Sequence, residues 1–200
     1  MLENYFKSLY QRTMKEAYGL AYQEIFSALE KGGECLDCGA HEGQTYTKLS
    51  SEIGLPSELY HGMEWNDQCA SNAMEKGLNI QQHDLNKTFP YEDNKFKCIF
   101  GLSVLEHLLN GCHFLKECHR TLEKDGKLVI LTPNISTYFT AFLILAGKMP
   151  SSGPHPDSDI LMKTEEVFKV SADSSTWDTE ADTPIHRHLI VFSYVVLKNI

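Results

Sequence analysis

Positive charge is scarce in this sequence. Its 200 residues contain 18 lysines and arginines against 27 aspartates and glutamates, which gives a formal net charge of −9 at pH 7. A protein that binds nucleic acid needs a basic face to neutralise phosphates. We therefore expect no nucleic-acid partner, and the balance of charge favours a small or neutral substrate.

Long apolar runs and a disulfide framework are also missing. The most apolar segment, residues 138–147, is far too short to span a bilayer. No charged segment followed by an apolar run opens the chain, and the six cysteines lack the spacing of a disulfide framework. These absences predict a cytoplasmic protein with reduced thiols, no membrane span and a single domain over residues 1–200.

No group of cysteines and histidines has the spacing of a metal site. Cys35 and Cys38 form a Cys-x-x-Cys pair, but residues three apart on a strand point to opposite faces. Cys112 and His119 would share a helix face, yet two further ligands are not in evidence. We therefore expect no metal.

The stretch LDCGAHEG, residues 36–43, organises the rest of the chain. An apolar strand enters Gly39 and Gly43 and is followed by a predicted helix over residues 44–53. Such a turn can direct backbone N–H groups at a bound anion or polar ligand. Glu64 follows about 20 residues later, where a Rossmann-like sheet holds a ribose by its hydroxyls. Together the two signals predict a nucleotide-type cofactor loop.

Asp37 distinguishes this loop from a dinucleotide fingerprint. It stands before the glycines, where that fingerprint has an apolar residue or glycine, and a carboxylate suits the cationic end of a methionine moiety. A nicotinamide-dependent oxidoreductase would also use Glu64. The chain lacks the Gly-x-Gly-x-x-Gly spacing of that class, so it is the weaker interpretation.

Predicted strands and helices alternate along the chain. The strands are residues 34–38, 58–64, 78–83, 96–101 and 127–131. The helices are one or two over residues 2–31, then 44–53, 67–76, 112–123 and an apolar helix over 138–147, buried or facing substrate. This order predicts an α/β, Rossmann-like fold with a mostly parallel sheet, helices on both faces and a site over the carboxyl ends of the strands.

Two segments of this pattern leave alternatives open. The aromatic residues of 2–31 either pack on the sheet or form a lid over the cofactor. Residues 148–185 form a long Pro- and Ser-containing loop, which is unusual in a compact domain unless it is functional, as a lid would be, or disordered.

Seven motifs, in their order and spacing, resemble those of class I S-adenosylmethionine-dependent methyltransferases. They are residues 36–43, 62–64, 83–85, 89–91, 104–107, 117–122 and 126–134. The chain resembles in particular the small-molecule branch similar to ubiquinone-biosynthesis methyltransferases. The resemblance implies an enzyme with S-adenosyl-L-methionine as cofactor, which transfers a methyl group to a small-molecule acceptor by direct displacement.

The resemblance also implies the contacts of the cofactor. The methionine end is held by the carboxylate and loop residues Asp37, Gly39, Ala40, His41 and Gly43, and lined by the backbone of Leu102 and Ser103. Glu64 holds the ribose, Asp84 reaches the adenine amino group, and Trp65 and Leu85 pack near the ring. His41 replaces a glycine of many members, so its side chain must point away from the ligand.

Three of these residues have alternative interpretations. Glu64 could be a solvated strand end, Trp65 a core residue, and Asp84 the cap of a turn.

His107 is the candidate catalytic base. It follows the fourth strand on the cofactor side, and an imidazole titrates near neutrality. Its alternative is a hydrogen-bonding residue at a helix start. His155, His186 and His188 are weaker candidates.

The C-terminal hairpin of the family sheet is not found in the sequence. Family order makes residues 189–197 a helix, and no two further strands follow strand five. We expect either a truncated chain or self-association through the edge of strand five. A methyltransferase fold that serves only as a binding or scaffold protein is the competing functional class.

Overall fold

The computed structural model describes residues 2–134 and 138–145. The helices are α1 (Leu2–Leu29), α2 (Gln44–Ile53), α3 (Asp67–Glu75), α4 (Gly111–Thr121) and α5 (Tyr138–Leu145). The strands are β1 (Cys35–Cys38), β2 (Tyr60–Glu64), β3 (Asn79–Gln82), β4 (Phe96–Leu102) and β5 (Leu122–Leu131). Short 3₁₀ turns occupy Ser57–Leu59 and Leu105–His107. None of these helices is both long and apolar enough to cross a membrane.

The five strands form one parallel sheet in the order β3-β2-β1-β4-β5. The central strand β1 is buried at every position, as is β2, because helices cover both faces of the sheet. The α/β, Rossmann-like fold predicted from the alternating pattern is therefore confirmed.

Side chains alternate between two hydrophobic cores along β1. Cys35 belongs to the core that contains residues of α1, α2 and α3, whereas Leu36 belongs to the core that contains residues of α4. The first core includes Ile25 of α1 and Leu49 of α2, both fully buried. This alternation of period two places Asp37 on the same face of the sheet as Cys35.

Three elements are defined more closely than the sequence prediction left them. The N-terminal segment forms one helix, which is the first of the two predicted alternatives. Strand β5 begins at Leu122, five residues earlier than predicted, because Leu122 pairs with Phe96 across a register shift. In α5 the side chains of Tyr138, Phe142 and Leu145 are 62% to 99% exposed, so the buried alternative for this helix is wrong at these positions. Residues 148–185 and 189–197, predicted as a loop and a helix, lie outside the described residues.

Strand β5 lies at the edge of the sheet that residues 2–134 form, with β4 as its partner there. Val129 and Ile130 make this strand apolar and β-prone, and such an edge is a template for pairing with a second chain. We expect the protein to self-associate through β5, so that light scattering gives a mass above that of the 22.7 kDa chain, increasing with concentration. A constant monomer mass at high concentration would contradict this expectation.

Candidate functional site

Backbone hydrogen bonds draw the carboxyl ends of the strands together. Beyond β1, the N–H of Gly39 donates to the carbonyl of Met63 on β2 at 2.8 Å. The N–H of His83 donates to the Glu64 carbonyl at 2.8 Å, and the N–H of Ser103 donates to the Leu131 carbonyl at 2.8 Å. These bonds continue the pairing one residue beyond the strands. They place the predicted loop, Glu64, the segment after β3 and Ser103 together at the carboxyl end of the sheet.

The loop between β1 and α2 requires its two glycines. Gly39 and Gly43 have φ angles of 87° and 84°, which L residues with a side chain rarely adopt. A Cβ atom at Gly39 would lie 2.6 Å from Val104 Cγ2, and one at Gly43 would lie 2.2 Å from Leu78 Cδ1. The loop is therefore packed directly against side chains that follow α3 and β4, and a methyl group at either glycine would have to displace one of them.

His41 keeps the left-handed turn although it is not glycine. Its φ angle is 47°, its Nδ1 lies 3.2 Å from Gln44 Nε2, and its Nε2 lies 3.5 Å from Cys69 Sγ. The imidazole ring therefore contacts residues of α2 and α3. Its backbone N–H donates to Glu64 Oε2 at 2.8 Å, so the substitution preserves both the turn and the bond to the acidic residue.

Glu64 is a buried carboxylate held by backbone donors. It is 8% exposed, and its Oε1 accepts from the N–H of Asn66 at 2.8 Å while Oε2 accepts from His41. The alternative of a solvated strand end is therefore wrong. A carboxylate has about four acceptor positions, so two stay available to hydroxyl donors of a ligand.

Asp37 is enclosed among hydroxyl groups. It is 3% exposed, and its Oδ2 accepts from the Tyr60 hydroxyl at 2.6 Å, with Thr45 of α2 as a second hydrogen-bond partner. Burial raises the pKa of Asp37 to about 7, although the two hydroxyl partners act to lower it. Because the pKa of this carboxyl lies near 7, a nearby cation would shift it toward its charged form at neutral pH. The tyrosine partner was not predicted from the sequence, since Tyr60 is the first residue of the buried strand β2 and has the pattern of a core aromatic.

Asp84 forms a turn with its neighbours. Its Oδ1 accepts from the backbone and side-chain N–H groups of Asn86, both at 3.0 Å, and Lys87 Nζ lies 3.7 Å from Oδ2. Partial burial acts to raise the pKa of Asp84, but the Asn86 hydrogen bonds and the Lys87 charge lower it below its usual range. Oδ1 therefore caps a turn, as the alternative interpretation predicted. Oδ2 is the oxygen that could accept from an adenine amino group.

The two predicted ring neighbours differ in exposure. Trp65 is 54% exposed, so the alternative of a core position is wrong for it. Leu85 is 6% exposed and belongs to the core that contains Met63 and Phe89. Trp65 is therefore the side chain that offers an open aromatic face next to Glu64.

His107 ends the 3₁₀ turn that follows β4. It is half-buried, and its N–H donates to the Val104 carbonyl at 2.9 Å. The preceding Glu106 is 1% exposed, its Oε2 accepts from the Thr132 hydroxyl at 2.9 Å, and burial raises the pKa of its carboxyl. The hydrogen bond between Glu106 and Thr132 thus joins the segment after β4 to the segment after β5, and His107 directly follows Glu106. His155, His186 and His188 lie outside the described residues.

Tyr18 is a site neighbour that the sequence did not single out. Its hydroxyl lies 3.0 Å from that of Ser103. The aromatic spacing of α1 was the available signal, but it does not specify which ring reaches the carboxyl end of the sheet. Within residues 2–134 and 138–145, no three His, Cys, Asp or Glu side chains come together in a way that could hold a metal ion.

Comparison with known proteins identifies a family and a fold. The family model of the methyltransferase domain matches residues 10–194. No curated protein sequence matches the chain. A SAM-dependent methyltransferase from Thermotoga maritima superposes with a TM-score of 0.53 at 15% identity, covering 98% of this chain and 75% of that one.

Two further solved structures match over shorter regions. A Galdieria sulphuraria protein provisionally assigned as a sarcosine dimethylglycine methyltransferase gives a TM-score of 0.50 at 20% identity, over 60% of this chain and 45% of that one. A chain of the Haloferax volcanii complex between the Trm112 methyltransferase activator and a methyltransferase gives 0.45 at 18% identity, over 58% of this chain and 54% of that one. This chain therefore spans about half the length of these two proteins. At these identities the likeness concerns the fold.

Proposed function

This chain belongs to the methyltransferase domain family, and on that premise we propose that it transfers a methyl group from S-adenosyl-L-methionine to a small-molecule acceptor. The family implies this cofactor. We further propose, from the motifs alone, that the enzyme falls in the branch similar to ubiquinone-biosynthesis methyltransferases. The observation that carries the proposal is Glu64, a buried carboxylate fixed by two backbone N–H groups beside a loop in which Gly39 and Gly43 have positive φ angles.

The residues at the carboxyl end of the sheet are suited to the different parts of the cofactor. Glu64 has acceptor positions left for the two ribose hydroxyls. Trp65 offers an exposed ring for stacking on adenine, and Asp84 Oδ2 can accept from its amino group. Asp37, two residues before the tight turn at Gly39, supplies negative charge for the methionine end when it is ionised.

The bound cofactor supplies an electrophilic methyl group on a sulfonium. The protein must then align an acceptor with that group and exclude water, since direct displacement gains most from orientation. For an oxygen or nitrogen acceptor, an imidazole nitrogen of His107 would take the proton of the attacking group. Glu106 and Thr132 fix the backbone on which His107 is placed.

A binding or scaffold protein with the same fold is the alternative function. His41 favours this alternative at the level of sequence, because it replaces a glycine of many methyltransferases, but the structure accommodates it without loss of the turn or of the bond to Glu64. The nicotinamide alternative has the same ribose carboxylate but gives no role to the buried Asp37 or to the exposed Trp65.

Isothermal titration calorimetry followed by a transfer assay tests the proposal. We expect S-adenosyl-L-methionine and S-adenosylhomocysteine to bind with micromolar affinity, and NAD and NADP to show no binding. Incubation with methyl-labelled cofactor and a metabolite extract should then move label into the small-molecule fraction. Binding without transfer would favour the scaffold alternative, and lack of binding would contradict the cofactor assignment.

A further inference from the structure

The N-terminal helix reaches the candidate site through one hydroxyl group. Tyr18 is half-buried on α1, and its hydroxyl oxygen lies 3.0 Å from Oγ of Ser103, which is 85 residues further along the chain. Ser103 directly follows β4, at the carboxyl end of the sheet, where the glycine loop and Glu64 also lie. A helix outside all the predicted motifs is thus joined to the candidate site by a hydrogen bond.

Ser103 adopts a backbone conformation that needs support. Its φ angle is 60°, in the left-handed region that residues other than glycine, asparagine and aspartate seldom occupy. Its N–H donates to the Leu131 carbonyl of β5 at 2.8 Å, and its side chain meets Tyr18. Contacts from two separate elements therefore hold one strained residue, which is the arrangement expected where a precise backbone position matters.

The backbone position of Ser103 sets that of Val104, which contacts the glycine loop. The space next to Gly39 is filled by Val104, because a Cβ atom there would lie 2.6 Å from Val104 Cγ2. A displacement of Ser103 would therefore move Val104 away from Gly39 or against it. The path from Tyr18 to Ser103, Val104 and Gly39 is continuous and consists of a hydrogen bond, a peptide link and a packing contact.

We propose that Tyr18 is a positioning residue for the methionine end of the methyl donor, acting through Ser103 and Val104 on the glycine loop. The inference rests on the proposed function, and it assigns α1 a part in ligand recognition. Removing the Tyr18 hydroxyl should allow Ser103 to relax and loosen the loop. The loss should be confined to ligands that carry the amino-acid end, since Glu64, which is assigned to the ribose, is fixed by the N–H groups of His41 and Asn66 and not by Gly39.

The test compares three ligands by calorimetry. Tyr18→Phe should raise the Kd of S-adenosyl-L-methionine and S-adenosylhomocysteine by about threefold to tenfold, the range for one lost hydrogen bond. The Kd of 5′-methylthioadenosine, which lacks the amino-acid end, should stay within about twofold. Ser103→Ala should give the same pattern, and the double variant should add little to either single one, because both remove the same interaction.

Tyr46→Phe provides a matched control on α2. Tyr46 is also half-buried, and the described residues give its hydroxyl no hydrogen-bond partner, so all three affinities should be unchanged. Equal weakening of all three ligands by Tyr18→Phe would show a tether that serves the fold alone and would overturn the inference. Unchanged affinities in Tyr18→Phe would do the same. Failure of the wild-type protein to bind S-adenosyl-L-methionine would overturn the proposed function as well.

Discussion

Replacement of Glu64 by glutamine is expected to weaken the binding of S-adenosyl-L-methionine by about tenfold to a hundredfold. Hydrogen bonds to a carboxylate contribute about 1.5 to 3 kcal/mol, and a tenfold change in affinity corresponds to about 1.4 kcal/mol. In the wild-type protein Oε1 and Oε2 each accept from one backbone N–H, of Asn66 and His41. The amide of glutamine can accept from only one of them, so its NH₂ group faces the other donor and the loop loses support in addition to the lost charge.

The measurement is calorimetry on the variant beside Glu52→Gln, which removes an exposed carboxylate from α2. The control should bind like the wild-type protein, and its unfolding temperature shows what one lost surface charge does. Full affinity in a folded Glu64→Gln protein would show that Glu64 stabilises the loop without contacting the ribose.

The features predicted from the sequence are those that depend on neighbours in the chain. Segments of five to seven residues predicted five strands, and Gly39 and Gly43 predicted a tight turn that the φ angles confirm. The start of β5 was missed because Leu122 is paired by a register shift, and such a shift leaves no mark in the local pattern.

The features that could not be predicted depend on contacts between distant residues. Tyr60 pairs with Asp37 across 23 positions, and Tyr18 pairs with Ser103 across 85. In both cases an aromatic ring at a buried spacing reads as core, and the pattern does not show where its hydroxyl points. The resemblance to a family indicated which carboxylates to examine, but their hydroxyl partners follow from the register of this particular chain.

Asp37 should make the stability of the ligand-free protein depend on pH. Its pKa in the folded protein is about 7, against 3.8 for an ordinary aspartate. Between these values the unfolded chain releases a proton that the folded chain keeps, so the free energy of unfolding falls as pH rises from about 4 to about 7. The difference of about three pKa units corresponds to a loss of roughly 4 kcal/mol at most.

Asp37→Asn should remove this contribution. An amide resembles the neutral carboxyl and can still accept from the Tyr60 hydroxyl, so we expect the variant to exceed the wild-type free energy of unfolding by roughly 2 to 4 kcal/mol at pH 8 and by much less at pH 4. Urea unfolding at both pH values measures the difference. Tyr60→Phe removes a bond that lowers the pKa of Asp37, so it should enlarge the pH dependence. A constant difference between Asp37→Asn and the wild-type protein at the two pH values would contradict the raised pKa.

The same carboxyl should couple binding of the methyl donor to a proton. S-adenosyl-L-methionine carries a sulfonium and an ammonium group, and a cation near Asp37 favours its ionised form. Among the titratable neighbours, the Tyr60 hydroxyl lowers the pKa of Asp37 and the Glu64 charge raises it. The charge of Asp37 in turn acts on Tyr22, Tyr60, Cys35 and Cys38. Burial raises the pKa of both tyrosines and both thiols, so they stay neutral near pH 7.

Affinity for S-adenosyl-L-methionine should therefore rise with pH from about 5.5 to 7.5, by up to about tenfold per unit at the acidic end, and binding should release a fraction of a proton near pH 7. Calorimetry in two buffers of different ionisation enthalpy measures that release. Asp37→Asn should bind the cofactor at least about tenfold more weakly at pH 8, because the charge-assisted interaction is lost, and should show no release from this site. Since the histidines are unchanged in this variant, the difference between the two proteins isolates Asp37. A wild-type pH profile that persists in Asp37→Asn would exclude Asp37 as the group whose ionisation is coupled to binding of the cationic ligand.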